Sequence, residues 1–129
     1  MSTQIGINEK LIQYLETIGY RSDEVIDKLV LETLTLGSVA QMQIAPEQGQ
    51  FLEIIVKISQ AKNCLEIGRF TGLSSLCIAK GLSENGKLVA VDNSDEFLSM
   101  AQKYWKMAGV EKKNRIYHWC RCRCNAKYG

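Results

Sequence analysis

Proline is nearly absent from this 129-residue sequence, with Pro46 the one example, and histidine occurs once, as His118. So little proline excludes collagen-like and polyproline architectures, and 46% hydrophobic residues are more than a disordered chain carries. Long apolar runs are missing too: none approaches the ~18 residues that a membrane span needs. The first ten residues, MSTQIGINEK, lack the basic-then-apolar layout of a secretion signal, so a cytoplasmic location and no membrane partner are expected. Disulfide scaffolding is also unexpected, because five cysteines is an odd number and a chain this long can bury a core without staples. The remaining composition, 23% charged, 8% aromatic and ten glycines, suits a single globular domain.

Charge is distributed unevenly. Net charge is +2, yet Lys112, Lys113, Arg115, Arg121, Arg123 and Lys127 face no acid after residue 111, which leaves residues 1–111 at minus four. The same end holds His118, Trp119, Cys120, Cys122 and Cys124, and the composition changes abruptly near residue 117. Three regions are therefore expected: a helical arm over 1–45, a ligand-binding portion over 46–116, and a basic, cysteine-rich, disordered tail over 117–129.

Capping residues and apolar spacing predict three helices first. Asn8 caps a segment with Leu11, Leu15 and Ile18 on one face, and Gly19 follows where it would stop. Ser22 is expected to cap the second, with Asp23 and Glu24 in its first turn and Val25, Ile26, Leu29 and Val30 as its apolar stripe. Pro46 opens a third, with Phe51, Leu52, Ile55 and Ile58 recurring to about Gln60. The period then changes. Cys64 to Ile67 reads as a strand, Gly68 to Gly72 as a turn, and Leu73, Leu76 and Cys77 as one side of a helix. Glu84-Asn85-Gly86 is a turn, Lys87 to Val91 a second strand ending at Asp92, and Ser94 is expected to cap a helix through Phe97, Ala101, Tyr104 and Ala108. A third strand should begin near Ile116. Strands alternating with helices predict an α/β fold, a Rossmann-like half sheet of three parallel strands preceded by the helical arm.

The chemistry gathers at the carboxyl ends of the first two strands, where such sheets place their ligands. Glycines in Glu66-Ile67-Gly68-Arg69-Phe70-Thr71-Gly72 allow close approach to the backbone, and the following helix aims free N–H groups at an anion. Asp92, twenty-six residues after Glu66, can accept hydrogen bonds from ribose hydroxyls, and no arginine or lysine adjoins it to welcome a 2'-phosphate. The dinucleotide pattern G-x-G-x-x-G is absent, since Phe70 stands where the second glycine should be, which demotes NAD. S-adenosylmethionine has no pyrophosphate. Its ammonium suits Glu66, and its carboxylate suits the backbone N–H groups of the turn.

Cys64 to Ser75 (CLEIGRFTGLSS) resembles the first motif of the S-adenosylmethionine-dependent O-methyltransferases of the caffeoyl-CoA and catechol type. Met42 to Leu52, Gly86 to Asp92 and Ala101 to Val110 resemble further segments of that family in order and spacing, so the likeness covers nearly all of residues 5–116. It implies a class I methyltransferase fold and a cofactor site of Glu66, Gly68 with the Arg69 backbone, Ser74 and Asp92. Ile44 would add a backbone contact, and Met42 would face cofactor and acceptor. Leu73 and Arg69 depart from the residues usual in the family.

The resemblance also implies transfer of a methyl group to a hydroxyl of a small acceptor, with a homodimer as the candidate assembly. A magnesium or manganese ion is expected for the family, but the aspartates, asparagine and lysine that serve it belong to a second half not seen here. No metal ligand and no catalytic residue are therefore assigned. The likeness ends at Tyr117, so the chain reads as a truncated, cofactor-binding part, inactive alone. The alternative is a non-catalytic adenosine-ligand binding module or a frameshifted remnant. In the tail, alternation of His118, Cys120, Cys122 and Cys124 does not suit zinc, because next-but-one residues of a strand lie about 6.5 to 7 Å apart and four ligands must reach one ion. Its basic residues are read as solvated, with no nucleic-acid partner.

Overall fold

A computed structural model describes residues 6–118. Five α-helices lie among them: α1 (Glu9–Ile18), α2 (Glu24–Leu34), α3 (Pro46–Ser59), α4 (Leu73–Gly81) and α5 (Leu98–Met107). The strands are β1 (Asn63–Ile67), β2 (Lys87–Asp92) and β3 (Asn114–His118), with short 3-10 segments at Gly37–Met42 and Glu111–Lys113. The sheet is wholly parallel in the order β1-β2-β3, with Glu66 beside Ala90 and Asp92 beside His118. Each β-helix-β passage carries the chain back to the same end of the sheet, so the carboxyl ends of β1 and β2 are neighbours.

The helical segment before the sheet is not uniform. No residue of α1 is buried, whereas α2 sinks Ile26, Leu29 and Thr33. Ile26 and Leu29 join Leu73, Leu76 and Cys77 of α4 and Ala101, Tyr104 and Trp105 of α5 in the main core. Burying side chains of this size stabilises by about 1.5–3 kcal/mol each, enough to fix α2 against the sheet's helices. A smaller cluster of Val56, Leu82 and Leu88 joins α3, α4 and β2. Gly81 permits the close crossing of α3 and α4: a Cβ there would stand 2.6 Å from the Glu53 carbonyl oxygen.

Several local expectations are revised. Asp23, not Ser22, caps α2; its carboxylate accepts from the Val25 and Ile26 N–H groups, both at 3.1 Å, while the Ser22 hydroxyl donates to Asp27. An ionised acceptor makes the stronger cap, so the carboxylate takes the position. Ser94 does not cap α5, which starts at Leu98; its hydroxyl accepts from the Glu96 N–H and closes a turn instead. On α3 the buried residues are Gly49 and Val56, while Phe51, Ile55 and Ile58 are exposed. β3 begins at Asn114 and includes Tyr117 and His118, so the sheet takes in the first two residues assigned to the tail. The zinc and disorder expectations for the rest of the tail lie outside the described residues.

Candidate functional site

Two consecutive backbone turns, Gly68 to Gly72 after β1 and Asn93 to Phe97 after β2, stand side by side. The Gly68 N–H donates to the Val91 carbonyl at 2.8 Å, extending the sheet ladder one residue past β1. The first turn then closes with the Gly72 N–H on the Arg69 carbonyl at 2.9 Å. Gly72 has φ 89° and sits against α5, where a Cβ would lie 2.7 Å from the Ala101 Cβ and 3.0 Å from the Trp105 Nε1. The Trp105 Nε1–H donates to the Gly72 carbonyl at 3.1 Å, which anchors the turn to the core. α4 starts beyond it without a side-chain cap, so its first N–H groups stay open to an anionic ligand.

Glu66 points to the α4 side. It is 8% exposed, and both carboxylate oxygens accept hydroxyl hydrogens, one from Ser74 and one from Ser75. Burial pushes its pKa up, and the two serine bonds and the Arg69 charge offset that only in part. Ser74 thus meets the site as a donor to Glu66. Ser75, not singled out from sequence, has the same role and is fully buried.

Asp92 joins the two turns. Its Oδ2 accepts the Arg69 N–H at 2.7 Å and the Phe70 N–H at 3.0 Å, and its Oδ1 accepts the Ser94 N–H at 3.1 Å. Partial burial pushes its pKa up, but these backbone bonds and the Arg69 charge outweigh it and hold the carboxyl below its usual range. An ionised carboxylate offers about four acceptor positions, and three are taken, so a ribose meets one free position unless a turn amide gives way. The Arg69 N–H, expected to serve a cofactor, is already given to Asp92.

The expectation that no cation adjoins Asp92 also needs revision. The Arg69 guanidinium comes back beside Asp92, donating from Nη2 to the Ser94 carbonyl at 2.8 Å and lying 3.5 Å from Asp95 Oδ1. Its side chain has no exposed surface, so it still offers nothing to a phosphate in the crevice.

Between the turns lies a cavity of about 380 Å³ lined by Met42, Gly68, Phe70, Asp92, Asn93, Ser94, Glu96 and Phe97. Phe70 and Phe97 meet edge to face with ring centroids 4.9 Å apart. A smaller recess of about 70 Å³ lies among Met42, Ile44, Gly68, Leu73 and Ser74. Met42 and Gly68 line both spaces, and Ile44 lines the recess while packing on the main core. The segment carrying Met42 and Ile44 is pinned by Gln43, whose amide donates to Thr33 Oγ1 at 2.8 Å, while Thr33 Oγ1 donates to Thr71 Oγ1 at 3.1 Å. No site role follows from the sequence for Thr33, Gln43, Thr71 or Phe97. The sequence places Phe97 only on the helix after β2, and nothing local marks the two threonines and the glutamine as partners.

A family model described as O-methyltransferase matches residues 16–120. The chain belongs to the O-methyltransferase family. A caffeoyl-CoA O-methyltransferase of Populus kitakamiensis is 35% identical over 109 residues, covering 82% of this chain and 46% of its own. A catechol O-methyltransferase of Niastella koreensis is 29% identical over 111 residues, covering 85% of this chain and 49% of its own. Among solved structures, the O-methyltransferase from Bacillus cereus in complex with SAH superposes with a TM-score of 0.73 at 26% identity, over 82% of this chain and 48% of that one. This O-methyltransferase chain spans about half the length of the curated relatives it matches. Its three parallel strands and flanking helices are the Rossmann-like methyltransferase fold over that share.

Proposed function

We propose that the crevice between the two turns binds S-adenosylmethionine, and that the chain is the cofactor-binding part of an enzyme methylating a hydroxyl of a small acceptor of catechol or caffeoyl type. The observation that carries this reading is the placement of Glu66 and Asp92 at the ends of adjacent parallel strands, with Asp92 on a 380 Å³ cavity. Asp92 takes a ribose hydroxyl, Glu66 the ammonium of the methionine part, and the open α4 terminus its carboxylate. Phe70 and Phe97 give the adenine apolar contact, Met42 lies between cofactor and acceptor, and Ile44 backs the recess. In the reaction so proposed, the acceptor oxygen takes the methyl group from the sulfonium and gives up its proton, leaving S-adenosylhomocysteine.

The divalent ion implied by the family likeness does not fit the residues in view. Among the described residues no three His, Cys, Asp or Glu side chains converge on a common point. Glu66 lines neither space and Asp92 keeps a single open acceptor position, too few oxygens for such an ion. A second reading is a non-catalytic adenosine-ligand binding module or frameshifted remnant, in which the same crevice would hold the ligand without a reaction.

Isothermal calorimetry on the purified chain should give tighter binding of S-adenosylhomocysteine than of NAD; equal or tighter binding of NAD rejects the cofactor assignment. A radiolabelled-methyl assay with a catechol and magnesium separates the two readings. We expect no transfer from this chain alone, because an acceptor phenol with pKa near 10 stays protonated at neutral pH without a group to lower it. Metal-dependent turnover abolished by EDTA would overturn that expectation.

A further inference from the structure

We propose that Arg69 is a positioning residue for the ribose, its buried guanidinium strapping the turn after β1 to the turn after β2 so that Asp92 presents its free acceptor in one fixed direction. The inference rests on the cofactor reading above and assigns Arg69 a side-chain role where only its backbone had one.

Enclosing a guanidinium is costly unless the surroundings repay it. Here the repayment is partial: Nη2 has the Ser94 carbonyl and Asp95, while Nε and Nη1 are buried without a partner. A charge held at that cost lies beside the crevice, in the very turn whose amides grip Asp92. Arg69 makes two connections in opposite senses. Its N–H reaches forward to the Asp92 carboxylate, and its side chain reaches past Asp92 to the carbonyl of Ser94. Ser94 in turn gives its N–H to Asp92 Oδ1. The result is a closed ring of three hydrogen bonds through Arg69, Asp92 and Ser94.

That ring determines the rotation of the carboxylate. Oδ2 is held from the first turn by two amides, Oδ1 from the second turn by one. Without the guanidinium the second turn keeps the Phe70–Phe97 contact but loses its polar tie to the first, so the Ser94 N–H is held less firmly on Oδ1 and the carboxylate gains freedom to turn about its own bond. The charge contributes as well, since it helps keep the nearby Asp92 ionised and therefore an acceptor only.

The test is a double-mutant cycle on the full chain, with S-adenosylhomocysteine as probe and thermal melting as the check on folding. R69M should weaken binding by about tenfold in the otherwise native chain but by less than about twofold in the D92A background, because both substitutions remove one and the same ribose contact. A purely structural Arg69 would lower affinity by the same factor in both backgrounds, and that additivity overturns the proposal, as does native affinity in folded R69M. Should R69M fail to fold, R69K takes its place: an ammonium lacks the planar fork, so a smaller loss with the same dependence on Asp92 is expected. If the native chain binds no S-adenosylhomocysteine, the cofactor reading falls and this proposal with it. If it binds and the cycle is additive, only the role of Arg69 falls.

Discussion

Asp92 serves two needs with one carboxylate, holding the turns together and offering an acceptor to a ribose. Asp92→Ala should therefore weaken S-adenosylhomocysteine binding by about 1.5–3 kcal/mol, the usual worth of a hydrogen bond to a charged group, as calorimetry will read. Unchanged affinity would remove Asp92 from the site. Glu66 gives a pH signature of definite sign. An ammonium is held by the ionised form, and burial raises the Glu66 pKa, so the proton returns at a higher pH than for an ordinary glutamate at about 4.3. Affinity should fall on acidification above that value, while Asp92, shifted the other way, stays ionised. Titration of binding against pH checks this, and Glu66→Gln should flatten the acid limb. The positions of Glu66, Gly68 and Asp92 at strand ends were legible because strand ends and glycine turns leave local patterns, whereas Ser74 entered only through the family likeness. The Arg69 side chain and the Thr33, Gln43 and Thr71 bonds were not legible. An arginine is rarely enclosed, so its sequence suggests solvent, and Thr33 meets Thr71 across 38 residues with nothing local to announce it.

At the scale of elements, the alternation of short apolar runs with helical spacing was sufficient to find every strand and α-helix among the described residues. What spacing could not supply was which neighbour covers a face. The apolar spacing of Phe51, Leu52, Ile55 and Ile58 announced α3 as a helix, yet the crossing with α4 uses the narrow side at Gly49 and leaves Phe51 and Ile58 outside. Caps were misassigned where two adjacent acceptors compete, as at Ser22 and Asp23, because geometry decides between them. The end of α4 was equally hidden: Lys113, far along the chain, donates to the Ala79 and Leu82 carbonyls at 3.1 and 2.8 Å and closes the helix C-terminus. The start of α4 gives the clearest prediction. Gly72→Ala forces a Cβ against Ala101 and Trp105 at a positive φ, so urea unfolding should show a loss of about 1–3 kcal/mol or more, as expected for overpacking. A neutral result would mean that α5 can withdraw from the turn at little cost.

For the whole molecule, the sheet has an unequal pair of edges. β1 lies at one end of the order, and Leu65 and Ile67 within it are 65% and 69% exposed. α3 adds Phe51, Ile54 and Ile58 at 60%, 50% and 75%. Apolar surface beside an open strand edge invites pairing with another chain. At micromolar concentration the chain should elute from size exclusion larger than a monomer, and a sharp, cooperative melt from a monodisperse monomer would contradict that.

Among the described residues β1 is paired on one side, and that sets a clock. The Gly68 N–H points to β2, so by the two-residue alternation of a strand the amides of Glu66 and Cys64 do likewise, whereas those of Asn63, Leu65 and Ile67 face away from the ladder. In deuterated water these three hydrogens should be replaced long before those of β2, which is paired on both sides. Any molecule that closes the edge will slow that replacement at three alternate residues and at no others in the strand, so the rhythm of exchange along five residues reports when the edge has found a neighbour.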